Sequence, residues 1–240
     1  MPLPKINTPT YELELPSTGK KIRYRPFLVR EEKILIMALE SENMKQITDA
    51  VVQILSDCIL TKTVKVSELS TFDIEYLFLN VRAKSVGETV EVNITCPDDG
   101  ETTVQMEIDI DSIKVQKNKD HKNIIKLDDN LSMKLKYPSL EQFVENNFET
   151  SDDVSDVNKS LSMITSCIDM IYDSEESWSA SDCTKKELEE FLEQLNTKQF
   201  KEIETFFTTM PKLSHTITVK NPNTKIESEV VLEGLASFFS

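Results

Sequence analysis

The residue types that come nearest to chemistry stand together in Cys96-Pro97-Asp98-Asp99-Gly100. A thiol that opens a tight turn is half of a metal knuckle, and a structural zinc takes about four N or S ligands. The second cysteine is missing here, and the later turn Val219-Lys220-Asn221-Pro222 has none. The segment reads as an ordinary hairpin turn with a lone Cys96; an atypical site that uses Asp98 or Asp99 is the alternative. Asp152, Asp153 and Asp156, and the pair Glu175 and Glu176, lack the ligand spacing and central glycine of a calcium loop. The chain has 2 histidines, His121 in a polar stretch and His215 at a strand start. Both read as surface residues, and no Ser-His-Asp or Cys-His arrangement can be assembled around them. Ser17-Thr18-Gly19-Lys20 is too short for a phosphate loop and precedes a strand rather than a helix. No catalytic residue, metal ligand or cofactor is assigned, and an enzyme reading lacks its nucleophile and base.

What remains is charge and apolar surface. The net charge of −15 over 240 residues repels phosphate backbones, which disfavours nucleic acid as a partner. The first forty residues depart from this. Lys5, Lys20, Lys21, Arg23, Arg25, Arg30 and Lys33 outnumber Glu12, Glu14, Glu31, Glu32 and Glu40. Lys20, Lys21, Arg23, Arg25 and Arg30 form a basic group with two readings: a face that docks an acidic surface or another copy of the chain, or the solvated face of an amphipathic strand. Leu235, Phe238 and Phe239 likewise read as a docking element or as residues packed on their own domain. No apolar run is long enough to span a membrane, and Met-Pro-Leu-Pro-Lys-Ile lacks the apolar core of a signal peptide. The 4 cysteines are widely spaced. Cys58 and Cys167 fall in apolar helical patterns as small core residues, and a reducing cytoplasmic compartment is expected.

The elements that must hold these residues follow from periodicity. Tyr11, Leu13 and Leu15 alternate with polar residues before Gly19, and Ile22 and Tyr24 do so after it, which predicts a hairpin stopped by Pro26. A helix with Glu31 and Glu32 in its first turn follows. Met44, Ile47, Val51, Ile54 and Cys58 mark one face of a second helix. Ser70 and Asp73 form a capping pair for a third, which ends near Gly87. Thr89–Cys96 and Thr102–Ile110 make a second hairpin, and residues 111–122 read as a linker. The order then restarts. A hairpin at Ile124–Leu127 and Leu131–Tyr137 ends at Pro138, and a short helix runs from about Leu140 to Asn146. An acidic loop at 149–153 leads into a helix marked by Val154, Val157, Leu161, Ile164 and Ile168, each 110 places after its counterpart. A helical insertion near 173–195 holds Trp178 and the capping box Thr184 with Glu187. A helix at Thr197–Phe207 precedes a last hairpin, Thr216–Val219 with Lys225–Leu232.

The fold class expected is α+β and pseudo-duplicated, each half with two β-hairpins and a layer of three or so helices. The halves are 1–115 and 116–240, either separate or packed as one unit.

One long ungapped string also resembles a known family. Leu-Pro-Ser-Thr-Gly-Lys-Lys-Ile-Arg-Tyr-Arg-Pro-Phe-Leu-Val-Arg-Glu-Glu-Lys-Ile-Leu, from Leu15, is similar to the N-terminal signature of the baseplate hub proteins of T-even-like contractile-tailed bacteriophages. Phe72-Asp-Ile-Glu-Tyr-Leu-Phe-Leu-Asn-Val-Arg, Ser85-Val-Gly-Glu and the ending Leu232-Glu-Gly-Leu-Ala-Ser-Phe-Phe resemble later family patterns, so the likeness spans most of the chain. It implies a late, non-enzymatic structural protein of tail and virion assembly. The partners implied are other phage hub or tail proteins, with no nucleic acid, no membrane and self-association open. The places implied are the host cytoplasm during assembly and the tail baseplate. The alternative role is a transient hub chaperone absent from the mature virion. Family members often carry paired cysteines at this hairpin, which makes Cys96 a remnant at most.

Overall fold

β1 (Tyr11–Glu14) and β2 (Lys21–Tyr24) pair antiparallel, Tyr11 opposite Tyr24 and Glu14 opposite Lys21. Gly19 closes the turn at φ +70°, a conformation that L side chains rarely adopt. The structure is a computed structural model that describes residues 6–41, 43–140, 142, 156–234 and 237. Ile22 and Tyr24 are buried, because alternation puts them on the same side of the strand, and α2 spans Met44–Cys58. α1 (Val29–Glu40) starts three residues after Pro26, and the Leu28 N–H donates to its Glu31 carboxylate at 2.7 Å. α2 is capped by Asn43, whose side chain accepts from the Gln46 N–H at 3.1 Å. α3 (Thr71–Val86) buries Phe72, Ile74, Leu77, Phe78, Leu79 and Val81, so it is apolar nearly all round and runs through the interior.

The chain divides into two units, Met1–Gln116 with Pro211–Ser240, and Lys117–Met210. In the first, β3 (Thr89–Thr95) and β4 (Thr103–Asp109) form a two-stranded ribbon. β5 (Lys114–Gln116) pairs with β10 (Lys212–Lys220), which pairs in turn with β11 (Glu227–Glu233). Leu79 and Ala83 of α3 pack with Val90, Val92, Ile217 and Val219 in one core.

In the second unit, β6 (Ile124–Lys126), β7 (Ser132–Leu135), β8 (Ile168–Tyr172) and β9 (Ser177–Ser179) form an antiparallel sheet in that order. α4 (Asp156–Cys167), α5 (Lys185–Glu193) and α6 (Thr197–Thr209) complete the unit. Its core joins Met133, Leu135 and Ile171 of the sheet to Ile164, Leu188 and Phe206 of the helices. Among the described residues no helix is long and apolar enough to cross a membrane.

The α+β class is observed; four details differ from expectation. The halves 1–115 and 116–240 are not the units, because the last hairpin returns to the first: β10 needs β5 as a neighbour and Leu213, Val219 and Leu232 complete its core. Residues 111–122 are not all linker, since Ile113 is buried and β5 begins at Lys114. Ile168 begins a strand rather than ending a helix, because β7 offers an unpaired edge to Ile-Asp-Met-Ile-Tyr. The segment near 173–195 is therefore partly sheet, with β9 pairing Trp178 to Ile171. The short helix at 140–146 and the acidic loop at 149–153 lie almost wholly outside the described residues.

One backbone tie recurs in both units. The Arg25 N–H donates to Cys58 O at 3.0 Å, and the Lys136 N–H to Cys167 O at 2.8 Å. In each case the residue that ends a hairpin meets the last residue of a helix.

Candidate functional site

The basic group does not form one free face. Arg25 turns inward: its guanidinium donates to Glu31 Oε1 at 2.9 Å, to Pro26 O at 2.9 Å and to Cys58 Sγ at 3.6 Å. Glu31 is wholly buried at 0 % exposure and also meets Arg30 Nε at 2.6 Å. Burial pushes the Glu31 carboxyl up, but the hydrogen bonds from Arg25, the Leu28 N–H and Arg30 outweigh it and hold it at about 2. Arg25 and Glu31 together fasten β2, α1 and the end of α2. Arg25 is thus a structural residue, and Arg30 is an exposed one tethered at its Nε.

Lys21 and Arg23 stand on the solvent face of β2, directly opposite Glu14 and Glu12 of β1. Arg23 reaches Glu12 at 3.9 Å. Cross-strand pairs of opposite charge stabilise the ribbon modestly and leave its outer face mixed rather than basic. Lys20 Nζ donates to Thr63 O at 3.3 Å. Leu235, Phe238 and Phe239 lie outside the described residues.

Beside this ribbon lies surface that charge counting does not find. α1 buries only Glu31 and Ala38 along its length. Val29, Ile36 and Met37 are 80 %, 50 % and 60 % exposed. Large apolar side chains grouped on one exposed helix face mark interaction sites. The signal was present in sequence, since Ile34-Leu35-Ile36-Met37 is apolar on every face and one helix against one neighbour can bury only a stripe.

Cys96 is buried, 1 % exposed, at the tip of the β3–β4 ribbon. Burial first, then Asp98 and Asp99, raises its pKa and keeps the thiol protonated. The β10–β11 turn meets this tip. Asn221, wholly buried, donates its Nδ2 to Asp99 at 2.8 Å and to both Asp98 oxygens at 3.1 Å. Its Oδ1 accepts from the Asn223 and Thr224 N–H groups, and the Thr224 hydroxyl donates to Asp98. Each turn closes alike, the Gly100 N–H on Cys96 O and the Lys225 N–H on Asn221 O, with φ of +69° and +67° at the two donors. The residues that would complete a pair of zinc knuckles are Asp99, Asn221 and Thr224, and they bond to one another. They do not fit a structural zinc, which needs N or S ligands.

The second unit carries a groove of about 840 Å³ between β6 and α6, lined by Lys122, Ile124, Lys126, Lys198, Glu202 and Thr205. Near it His121 is half-buried rather than a free surface residue. Its ring stacks on Tyr137, ring centres 5.5 Å apart, and meets Phe206 at 5.1 Å, while Nδ1 lies 3.0 Å from the Thr209 hydroxyl. Burial lowers its pKa. Among the described residues no group of three or more His, Cys, Asp or Glu is placed to hold a metal ion.

The exposed apolar face of α1, the polar clasp and the groove are the features the described residues bring together. No curated protein and no solved structure matches the chain. A family model described as T4 bacteriophage base plate protein matches residues 8–240, which takes in the hairpin-helix string, α3, the clasp and the groove alike. With nearly the whole chain covered by that match, the protein belongs to the T4 bacteriophage base plate protein family.

Proposed function

We propose that the chain is a non-enzymatic subunit of the phage baseplate hub that works through contacts with other tail proteins. The observation that carries the reading is the family match over residues 8–240. It implies a baseplate structural or assembly role and a place in the virion tail. The hub assignment rests on the likeness of Leu15–Leu35 to hub signatures. The exposed side chains of Val29, Ile36 and Met37 support a protein built to be covered. Lys21, Arg23 and Arg30 are exposed and supply charge to the contact in this reading, whereas Arg25 serves the fold.

Mass spectrometry of purified virions tests it. A hub component is present at fixed stoichiometry with the other baseplate proteins. Absence from finished particles that nonetheless require the protein for assembly overturns the component reading and assigns a transient chaperone.

A further inference from the structure

β6 is the outer strand of its sheet, and the hydrogen bonds beside it identify the backbone groups it leaves over. The Leu127 N–H donates to Leu131 O at 2.9 Å and the Leu135 N–H to Asn123 O at 2.8 Å. Bonded and unbonded pairs alternate along an antiparallel ladder. Asn123, Ile125 and Leu127 therefore face β7, and Ile124 and Lys126 point their N–H and C=O groups outward. No strand covers that edge among the described residues. Side chains alternate across it as well. Ile125 and Leu127 enter the core, while Lys122, Ile124 and Lys126 are exposed on the other face. α6 forms the far wall of the 840 Å³ groove, so the open edge has a floor and a boundary.

We propose that this edge accepts an extended segment of another baseplate protein as a fifth strand, with acidic, apolar and acidic residues set against Lys122, Ile124 and Lys126. The proposal rests on the baseplate reading. Strand addition draws affinity from main-chain bonds and register from alternate side chains. Both are available here, two outward residues and a Lys-x-Ile-x-Lys face. In the register centred on Ile124 a second copy of this chain is disfavoured. Antiparallel pairing of two β6 edges about Ile124 sets Lys122 of each copy against Lys126 of the other, and like charges directly opposite destabilise a sheet. Asp128, near the same edge, is engaged by the Asn130 and Leu131 N–H groups at 2.8 and 2.7 Å, while Lys198 and Glu202 on the α6 wall face the same groove, so Lys122 and Lys126 are the charges carried by the edge strand itself.

The test uses the full chain co-expressed with the other baseplate proteins of its phage. Ile124→Pro removes one outward N–H and no ladder bond, a change that edge strands tolerate. Lys122→Glu with Lys126→Glu reverses the charge code on exposed positions and guards against a folding defect in the proline variant. Incorporation into the purified assembly, hydrogen exchange at the Ile124 and Lys126 amides, and the melting temperature of the free chain are read together. The expected result is exchange at those two amides slowed by about tenfold or more in the assembly. Both variants should melt as the wild type does and be incorporated about tenfold less. Wild-type chain that assembles with those amides still exchanging freely, or folded variants incorporated as well as wild type, overturns the strand-addition proposal and leaves the baseplate reading standing. Protection of the same amides in a purified homodimer overturns the heterologous partner. Failure of the wild-type chain to join any assembly overturns both.

Discussion

Glu31, in the first turn of α1, is buried with Arg25 and Arg30 upon it. Removing one partner of a buried pair strands the other, at a cost of about 3–5 kcal/mol. Glu31→Gln leaves Arg25, with a side chain 12 % exposed, unpaired, and should lower the unfolding free energy in urea by about that range. Arg30→Gln, at a side chain 68 % exposed, should change the unfolding free energy far less, because solvent screens an exposed pair. The sign of the pH dependence follows from the depressed carboxyl. With the folded value at about 2 against 4.5 for the free group, the stabilisation is complete above 4.5 and is lost as the pH falls toward 2. Glu31→Gln should flatten the stability profile across that window, as followed by urea titrations at stepped pH. The basic group was legible as residues but not as a surface, because charge counts do not say which guanidinium turns inward. His121 was misjudged for the same reason: its polar neighbours concealed that Tyr137 and Phe206 come from elsewhere to stack on it.

At the scale of elements, period and punctuation did most of the work. The first hairpin, α2, α3, the Cys96 ribbon and the capping box of α5 all stand where alternation, helical spacing and turn residues put them. β8 did not, because Ile168 continues a helical spacing and only a neighbouring edge makes it a strand. β5 escaped notice since three residues in a polar stretch carry no periodicity. Its partner Leu213 lies nearly a hundred positions away, beyond any local rule. α1 was legible as a helix and not as a contact face. Met37→Glu tests that face directly. Surface substitutions of this kind change stability by about 0.5 kcal/mol or less, so the variant should melt as wild type does yet fail to co-purify with its baseplate partners. Wild-type recovery with those partners would remove α1 from the interface.

For the molecule as a whole, the second unit is an insertion: the first is broken at Gln116 and resumed at Pro211. Residues 117–210 hold their own sheet, helices and core and should fold alone, with one cooperative unfolding transition reported by Trp178, the single tryptophan. Residues 1–116 alone lack Leu213, Ile217, Val219 and Leu232 from their core and should not unfold cooperatively.

The clasp of Asn221 on Asp98 and Asp99 carries a kinetic consequence. Asp98 leaves the ribosome early and must wait for an asparagine more than a hundred residues downstream. Contacts of such long sequence separation form slowly, and domains otherwise fold as they emerge. The inserted unit therefore matures first, while β5 and the Cys96 tip idle on the nascent chain. Translation itself becomes the clock of this closure: the clasp forms only in chains whose synthesis has passed residue 221.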